Sequence, residues 1–227
     1  REHAYELLGR KEVKKLIDNY KEENEAEQQA PTKTESEYKV AMGLHSDVHF
    51  GEVVNGEHTL NRNEYNIDIA EKRINTYTEK LKNKLKKDNY QALVLCLAGD
   101  LLNGNIHNDA RATNELPMDQ AKLRLVEKYV EMIENFLRVV PKVIVRCVPG
   151  NHGRMYNDNN NHKQVSENWD ILCMHELSAR FKMNERVEIR WATGWECTFN
   201  VLGHRFLLTH GEKYKNNLGG KDSFRNK

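Results

Sequence analysis

From Tyr38 onward, short apolar runs alternate with longer stretches in which apolar residues recur every three or four positions. The runs Lys39–Leu44, Ala92–Leu97 and Val143–Val148 are mostly apolar and of strand length. Between the first two, Asn61–Lys87 places Ile67, Ala70, Ile74, Tyr77, Leu81 and Leu85 on one helical face. Asp119–Val140 does the same with Leu123, Val126, Val130, Ile133 and Leu137. A further helix is predicted over Ser166–Phe181, followed by three shorter runs, Val187–Trp191, Glu196–Leu202 and Arg205–Thr209. Strands alternating with helices of this length predict βαβ units, parallel strands and an α/β fold. Continuous apolar runs further predict strands covered on both faces.

The first 37 residues have a different character. Residues 2–29 are highly charged, with Val13, Leu16, Ile17 and Tyr20 on one helical face, and Ala30-Pro31-Thr32 breaks the pattern. This predicts a solvated helix and linker over residues 1–37, ahead of a domain over residues 38–227. A chain of 227 residues is long enough for one sizeable core. Its net charge of +1 argues neither for nor against a nucleic-acid partner, because a neutral protein can still carry a basic patch. Four cysteines without a C-x-x-C pair fit a reducing, cytoplasmic setting, and no apolar run approaches the length of a membrane span. The start at Arg1 and the polar end Gly219–Lys227 lead us to expect flanking sequence on both sides.

Four short peptides with metal-binding side chains sit at the ends of apolar runs. They are Ser46-Asp47-Val48-His49, Gly99-Asp100-Leu101-Leu102-Asn103, Gly150-Asn151-His152 and Thr209-His210-Gly211. In parallel sheets, ligands collect at the carboxyl ends of the strands. Asp47 and His49 are two apart, a spacing that turns both to one side of an extended chain. Gly99 lets the backbone turn and leaves the Asp100 carboxylate at the strand tip, where its two oxygens can bridge two ions. Asn151 offers an amide oxygen and His210 an imidazole. Mixed nitrogen and oxygen ligands suit Mn²⁺, Zn²⁺ or Fe, with Mg²⁺ also open, rather than Ca²⁺, and the lack of a cysteine argues against a structural zinc site. Two ions about 3.5–4 Å apart can activate water and neutralise a phosphoryl group. His152 is the candidate proton donor for a leaving oxygen, since imidazole titrates near neutrality.

Taken in order, Asp47-x-His49, Gly99-Asp100-x-x-Asn103, Gly150-Asn151-His152 and Thr209-His210-Gly211 resemble the calcineurin-like metallophosphoesterase superfamily over roughly residues 38–212. The resemblance implies a four-layered α/β/β/α sandwich and hydrolysis of phosphoesters with two divalent ions, Mn²⁺ first among them. It implies that Asp47 and His49 hold one ion, that Asp100 bridges, and that Asn151 and His210 hold the other. His152 would be the acid or the phosphate-contacting histidine. Three departures stand out. Gly153 and Arg154 follow where the family often has Asp or Glu, and Asn103 replaces a carboxylate that can partner the catalytic histidine. The family's closing Gly-His-x-His is absent from the chain; Gly203-His204-Arg205-Phe206 begins that way but precedes His210, so by family order the motif would lie beyond Lys227.

The runs around Asp47 and Gly150 are similar to the DNA repair exonuclease branch and its viral and bacterial relatives. That similarity implies nucleic acid as substrate and a bacterial or host cytoplasm as location. Small phosphoesters or nucleotides are the alternative substrates, and a non-catalytic metal-binding scaffold is the alternative of another class. Asn103, Arg154 and His107 are candidates for contact with substrate or for support of the ligands. His45 is read as packing, Trp169, Trp191 and Trp195 as core or sheet packing, and Lys80, Lys82, Lys84, Lys86 and Lys87 as a solvated face. Oligomeric state is not legible at this level.

Overall fold

The computed structural model describes residues 38–106, 108–156 and 165–212. The expected N-terminal helix and linker, His107, the loop Asn157–His162 and the segment after Glu212 lie outside the described residues. Strands β1 (Val40–His45), β2 (Ala92–Leu97), β3 (Lys142–Cys147) and β4 (Val187–Trp191) form one parallel sheet in the order 1-2-3-4. Helices α1 (Ile67–Leu85), α2 (Asn108–Thr113), α3 (Met118–Leu137) and α4 (Trp169–Arg180) connect them. The fold is therefore α/β. When successive crossovers share one hand and step the same way across a sheet, their helices land on the same face. The core agrees: Leu93, Leu95, Leu97, Val143, Val145 and Cys147 meet Ile67 and Ile74 of α1, Leu125, Tyr129 and Phe136 of α3, and Met174 and Leu177 of α4. Fully burying one such side chain is worth roughly 1.5–3 kcal/mol.

The register aligns the carboxyl ends of the strands. His45 pairs with Leu97, Leu97 with Cys147, and Cys147 with Trp191. Backbone pairing continues past the first two strands, with Asp47 N–H donating to Gly99 C=O at 3.1 Å and His49 N–H to Asp100 C=O at 3.0 Å. The loops after β1 and β2 are thus laced together before any side chain is considered.

Several elements depart from the periodicity. Helix α1 begins at Ile67 rather than Asn61, because Asn66 lies in extended backbone and its side chain accepts the Ile69 N–H at 2.9 Å. Glu115 takes the Ile67 N–H at 2.8 Å, and a short 3₁₀ turn (Glu57–Thr59) precedes the expected helix. On α3, Leu123 is 48% exposed, whereas Ala121, Leu125, Tyr129, Met132 and Phe136 are buried; that stripe puts the large rings inside. Helix α2 has no counterpart in the sequence reading. Coverage of both sheet faces holds for β2, whose six residues are all buried, but not for the edge strand β1, where Met42 and Leu44 are exposed.

The chain divides into two compact units. The described part of one comprises residues 38–198 and 207–212, and that of the other residues 199–206. Strands β5 (Glu196–Val201) and β6 (His204–Thr209) pair as a two-stranded sheet. In the smaller unit, Leu202 and Gly203 turn the chain with φ of 49° and 78°, as a two-residue hairpin connection requires, and Phe199 stacks on Phe206. Gly203-His204 therefore spans the end of a hairpin turn and the start of β6, with the histidine exposed. No helix among the described residues is long and apolar enough to cross a membrane.

Candidate metal centre

Asp47, His49 and Asp100 all adopt left-handed backbone, with φ of 52°, 47° and 51°. Non-glycine residues avoid this region at a cost of order 1–3 kcal/mol, and such strain persists where the surroundings impose it. Here the imposing contacts are glycines. A Cβ on Gly150 would lie 2.1 Å from the Asp100 backbone nitrogen, and one on Gly99 would lie 2.5 Å from the Gly150 nitrogen. Gly104, at φ 75°, passes so near His152 that a Cβ would fall 1.8 Å from its carbonyl oxygen. The loops after β2 and β3 touch backbone to backbone.

Asp100 lies at the middle of the site and is only 3% exposed. Its Oδ1 accepts the His152 N–H at 2.8 Å, which leaves Oδ2 facing His210 Nε2 at 3.1 Å and His49 Nε2 at 3.9 Å. Burial raises the pKa of this carboxyl, but the hydrogen bonds from His210 and His152 and their nearby charge outweigh it and hold it below its ordinary value. His210 donates Nδ1–H to the Ala98 carbonyl at 2.8 Å and turns Nε2 toward both Asp100 and the Asn151 Oδ1, the latter at 3.1 Å. A carbonyl on one ring nitrogen is the usual arrangement for a metal-binding histidine, since it sets the tautomer of the other. The Asp100 bond, against some burial, raises the His210 pKa to about 9.

Two groups of ligand atoms converge, each within 4.8 Å: Asp47, Asp100 and His210, and His49, Asp100 and His152. Asp100 belongs to both. The expected pairing of Asp47 with His49 on one ion differs from this grouping, in which Asp47 sits with His210, and His49 packs edge-on to His152 with ring centroids 4.5 Å apart. The residues suit a divalent cation on an independent ground. Among the described residues, His49 Nδ1 is buried with no hydrogen-bond partner. Leaving such a group unsatisfied costs about 1–3 kcal/mol, a penalty that a cation bound at Nδ1 itself would lift.

His152 Nδ1 lies 3.0 Å from the backbone carbonyl of Asn103. The Asn103 side chain, which stands where a carboxylate could partner the histidine, donates to Asn114 Oδ1 at 2.8 Å, and Asn114 in turn donates to the Gly104 carbonyl. The main chain of Asn103 serves the ring instead. Arg154 pairs with Glu212 at 2.7 Å and lies over Trp195, its guanidinium carbon 5.5 Å from the ring centroid. Trp195 lies outside the core cluster that Trp169 and Trp191 border, and Glu212 is a neighbour that the motifs did not include. His45 is buried against Tyr77 and Tyr129, and burial lowers its pKa to about 4, so it stays neutral as a packing group. Trp191 packs on His175, and Trp169 borders the core.

Sequence reasoning missed Asp170. It is fully buried at the start of α4 and accepts the N–H groups of Asp100 (3.1 Å), Leu101 (3.1 Å) and Gly150 (2.9 Å). Burial raises its pKa to about 6 against the pull of those N–H groups. No motif marks it; the only local signal is Asn168-Trp169-Asp170 at a helix start, a common capping pattern. The chain matches no protein-family model, and no curated protein matches it.

Proposed function

We propose that this protein is a two-metal phosphoesterase of the calcineurin-like class that cleaves phosphodiester bonds in nucleic acid. The observation that carries the reading is the convergence of Asp47, His49, Asp100, Asn151, His152 and His210 from four separate chain segments around one buried carboxylate. On this reading, the four-stranded parallel sheet and its helices would be one half of an α/β/β/α sandwich. Asp47, Asp100, Asn151 and His210 would hold one divalent ion, and Asp100 with His49 the other, Mn²⁺ being the first choice for this donor set. Bound ions would activate water and neutralise charge on the phosphoryl oxygens.

The chain's own residues supply the rest. Asp100 is held in place through Oδ1, so that Oδ2 stays turned toward the ions. With His152 Nδ1–H donating to the Asn103 carbonyl, Nε2 is the atom that delivers a proton to the leaving oxygen. The substrate preference rests on the similarity of the Asp47 and Gly150 runs to the nuclease branch.

The test compares Mn²⁺-dependent hydrolysis of bis-p-nitrophenyl phosphate, p-nitrophenyl phosphate and single- and double-stranded DNA by wild type, Asp100→Ala and His152→Ala. Diester and DNA cleavage is expected in wild type, with loss of turnover in Asp100→Ala and a fall of about 10²–10⁴-fold in His152→Ala. Cleavage of the monoester alone would replace the nuclease reading with a phosphatase. Mn²⁺ binding without turnover on any substrate would leave a scaffold and end the enzyme reading.

A further inference from the structure

We infer that Asp170 is the positioning residue of this centre, a carboxylate that locks the loop bearing Asp100 to the loop bearing Asn151 and His152. The inference rests on the two-metal reading for its functional meaning. Oδ2 of Asp170 accepts one N–H from each loop, from Asp100 at 3.1 Å and from Gly150 at 2.9 Å, while Oδ1 accepts that of Leu101 at 3.1 Å. A single oxygen thus ties the residue that reaches both ligand groups to the residue just before the ligand Asn151. Asn168, two residues earlier, adds a second tie by donating to the Gly150 carbonyl at 3.0 Å and accepting the Asp170 N–H at 2.9 Å.

Only an ionised carboxylate fits three converging donors, because it accepts on both oxygens and donates on neither. An asparagine would aim an N–H₂ group at one of the N–H donors. The strand ends alone do not achieve this lock: the loop after β2 turns through left-handed backbone at Gly99 and Asp100, and the amides of Asp100, Leu101 and Gly150 find their acceptor outside the two loops. Asp170 is that acceptor.

The same geometry accounts for Gly153, the departure where an acidic residue was looked for. A Cβ there would lie 2.3 Å from Asn168 Oδ1 and 3.0 Å from the Asp170 carboxyl carbon. The space a side chain at 153 would enter is already filled by the α4 pair. The carboxylate missing from the motif arrives from the helix, and glycine at 153 makes room for it.

Asp170→Asn preserves shape and removes the acceptor. In the full chain, Mn²⁺ titration calorimetry should show affinity weakened by about 10–100-fold, the usual effect of losing a group that orients metal ligands. Turnover of bis-p-nitrophenyl phosphate should fall in kcat with KM nearly unchanged. A folded Asp170→Asn protein that binds Mn²⁺ as wild type does would overturn the inference. Amide hydrogen exchange in metal-free wild type tests the lock without any variant. The N–H groups of Asp100, Leu101 and Gly150 should be strongly protected, and exchange at the rate of exposed loop amides would equally overturn it. Wild type that binds no Mn²⁺ while those amides are protected would defeat the two-metal reading and leave the lock as a structural fact.

Discussion

At the residue scale, the centre shows how little a side chain's identity says without its partner. His210 and His45 are both histidines beside strand ends, yet their titration moves in opposite directions. Burial alone lowers His45 to about 4, whereas the Asp100 carboxylate raises His210 to about 9. The second shift has a consequence for the metal-free protein. Because the folded pKa of His210 lies above its unfolded value, its ion pair with Asp100 contributes stability in full below about 6.5, and that stability is lost as pH rises toward 9. Urea midpoints of the metal-free chain should therefore fall between pH 6 and 8.5, and His210→Ala should remove most of that slope. A wild-type midpoint that is flat over this range would contradict the pairing. Mn²⁺ affinity should run the other way and rise with pH, since the metal needs the neutral imidazole.

At the element scale, the loops matter more than the strands. Glycines let the segments after β2 and β3 pass within contact distance, and each is tight for its own reason. Gly104 combines a positive φ with a Cβ position 1.8 Å from the His152 carbonyl oxygen, while Gly203 has a similar φ and open space around it. Gly203→Ala should therefore cost only the backbone term, about 1 kcal/mol. Gly104→Ala adds a main-chain clash and should cost several kcal/mol by urea unfolding, with loss of Mn²⁺ binding. Equal effects from the two substitutions would mean that loop contact contributes nothing beyond φ. The helices were easier to read. The α1 face was legible from Ile67, Ala70, Ile74 and Leu85, all buried, because a helix buries one continuous stripe. Its start was not: the Asn66 cap is a local signal that helical periodicity alone does not register, and the acceptor Glu115 lies far along the chain.

At the scale of the whole molecule, the sheet acts as a frame whose aligned strand ends gather residues distant in sequence. A ligand that binds only the folded form stabilises it by mass action, by about 2.7 kcal/mol at one hundred times its dissociation constant. Saturating Mn²⁺ should accordingly raise the thermal midpoint by several degrees, EDTA should reverse the rise, and Asp47→Ala or Asp100→Ala should abolish it. A shift that survives Asp100→Ala would place the ion elsewhere.

The sequence by itself determined the α/β class and the candidate ligands. Strand and helix periodicities are local, and Asp47, His49, Asp100, Asn151, His152 and His210 each sit in a short peptide readable on its own. Tertiary structure alone decided how those ligands group around Asp100, that the main chain of Asn103 rather than its amide faces His152, and that Asp170 ties the loops together. These depend on contacts between segments 20 or more residues apart, whose geometry is set by strand register and close backbone approach, and no local pattern of residues encodes either.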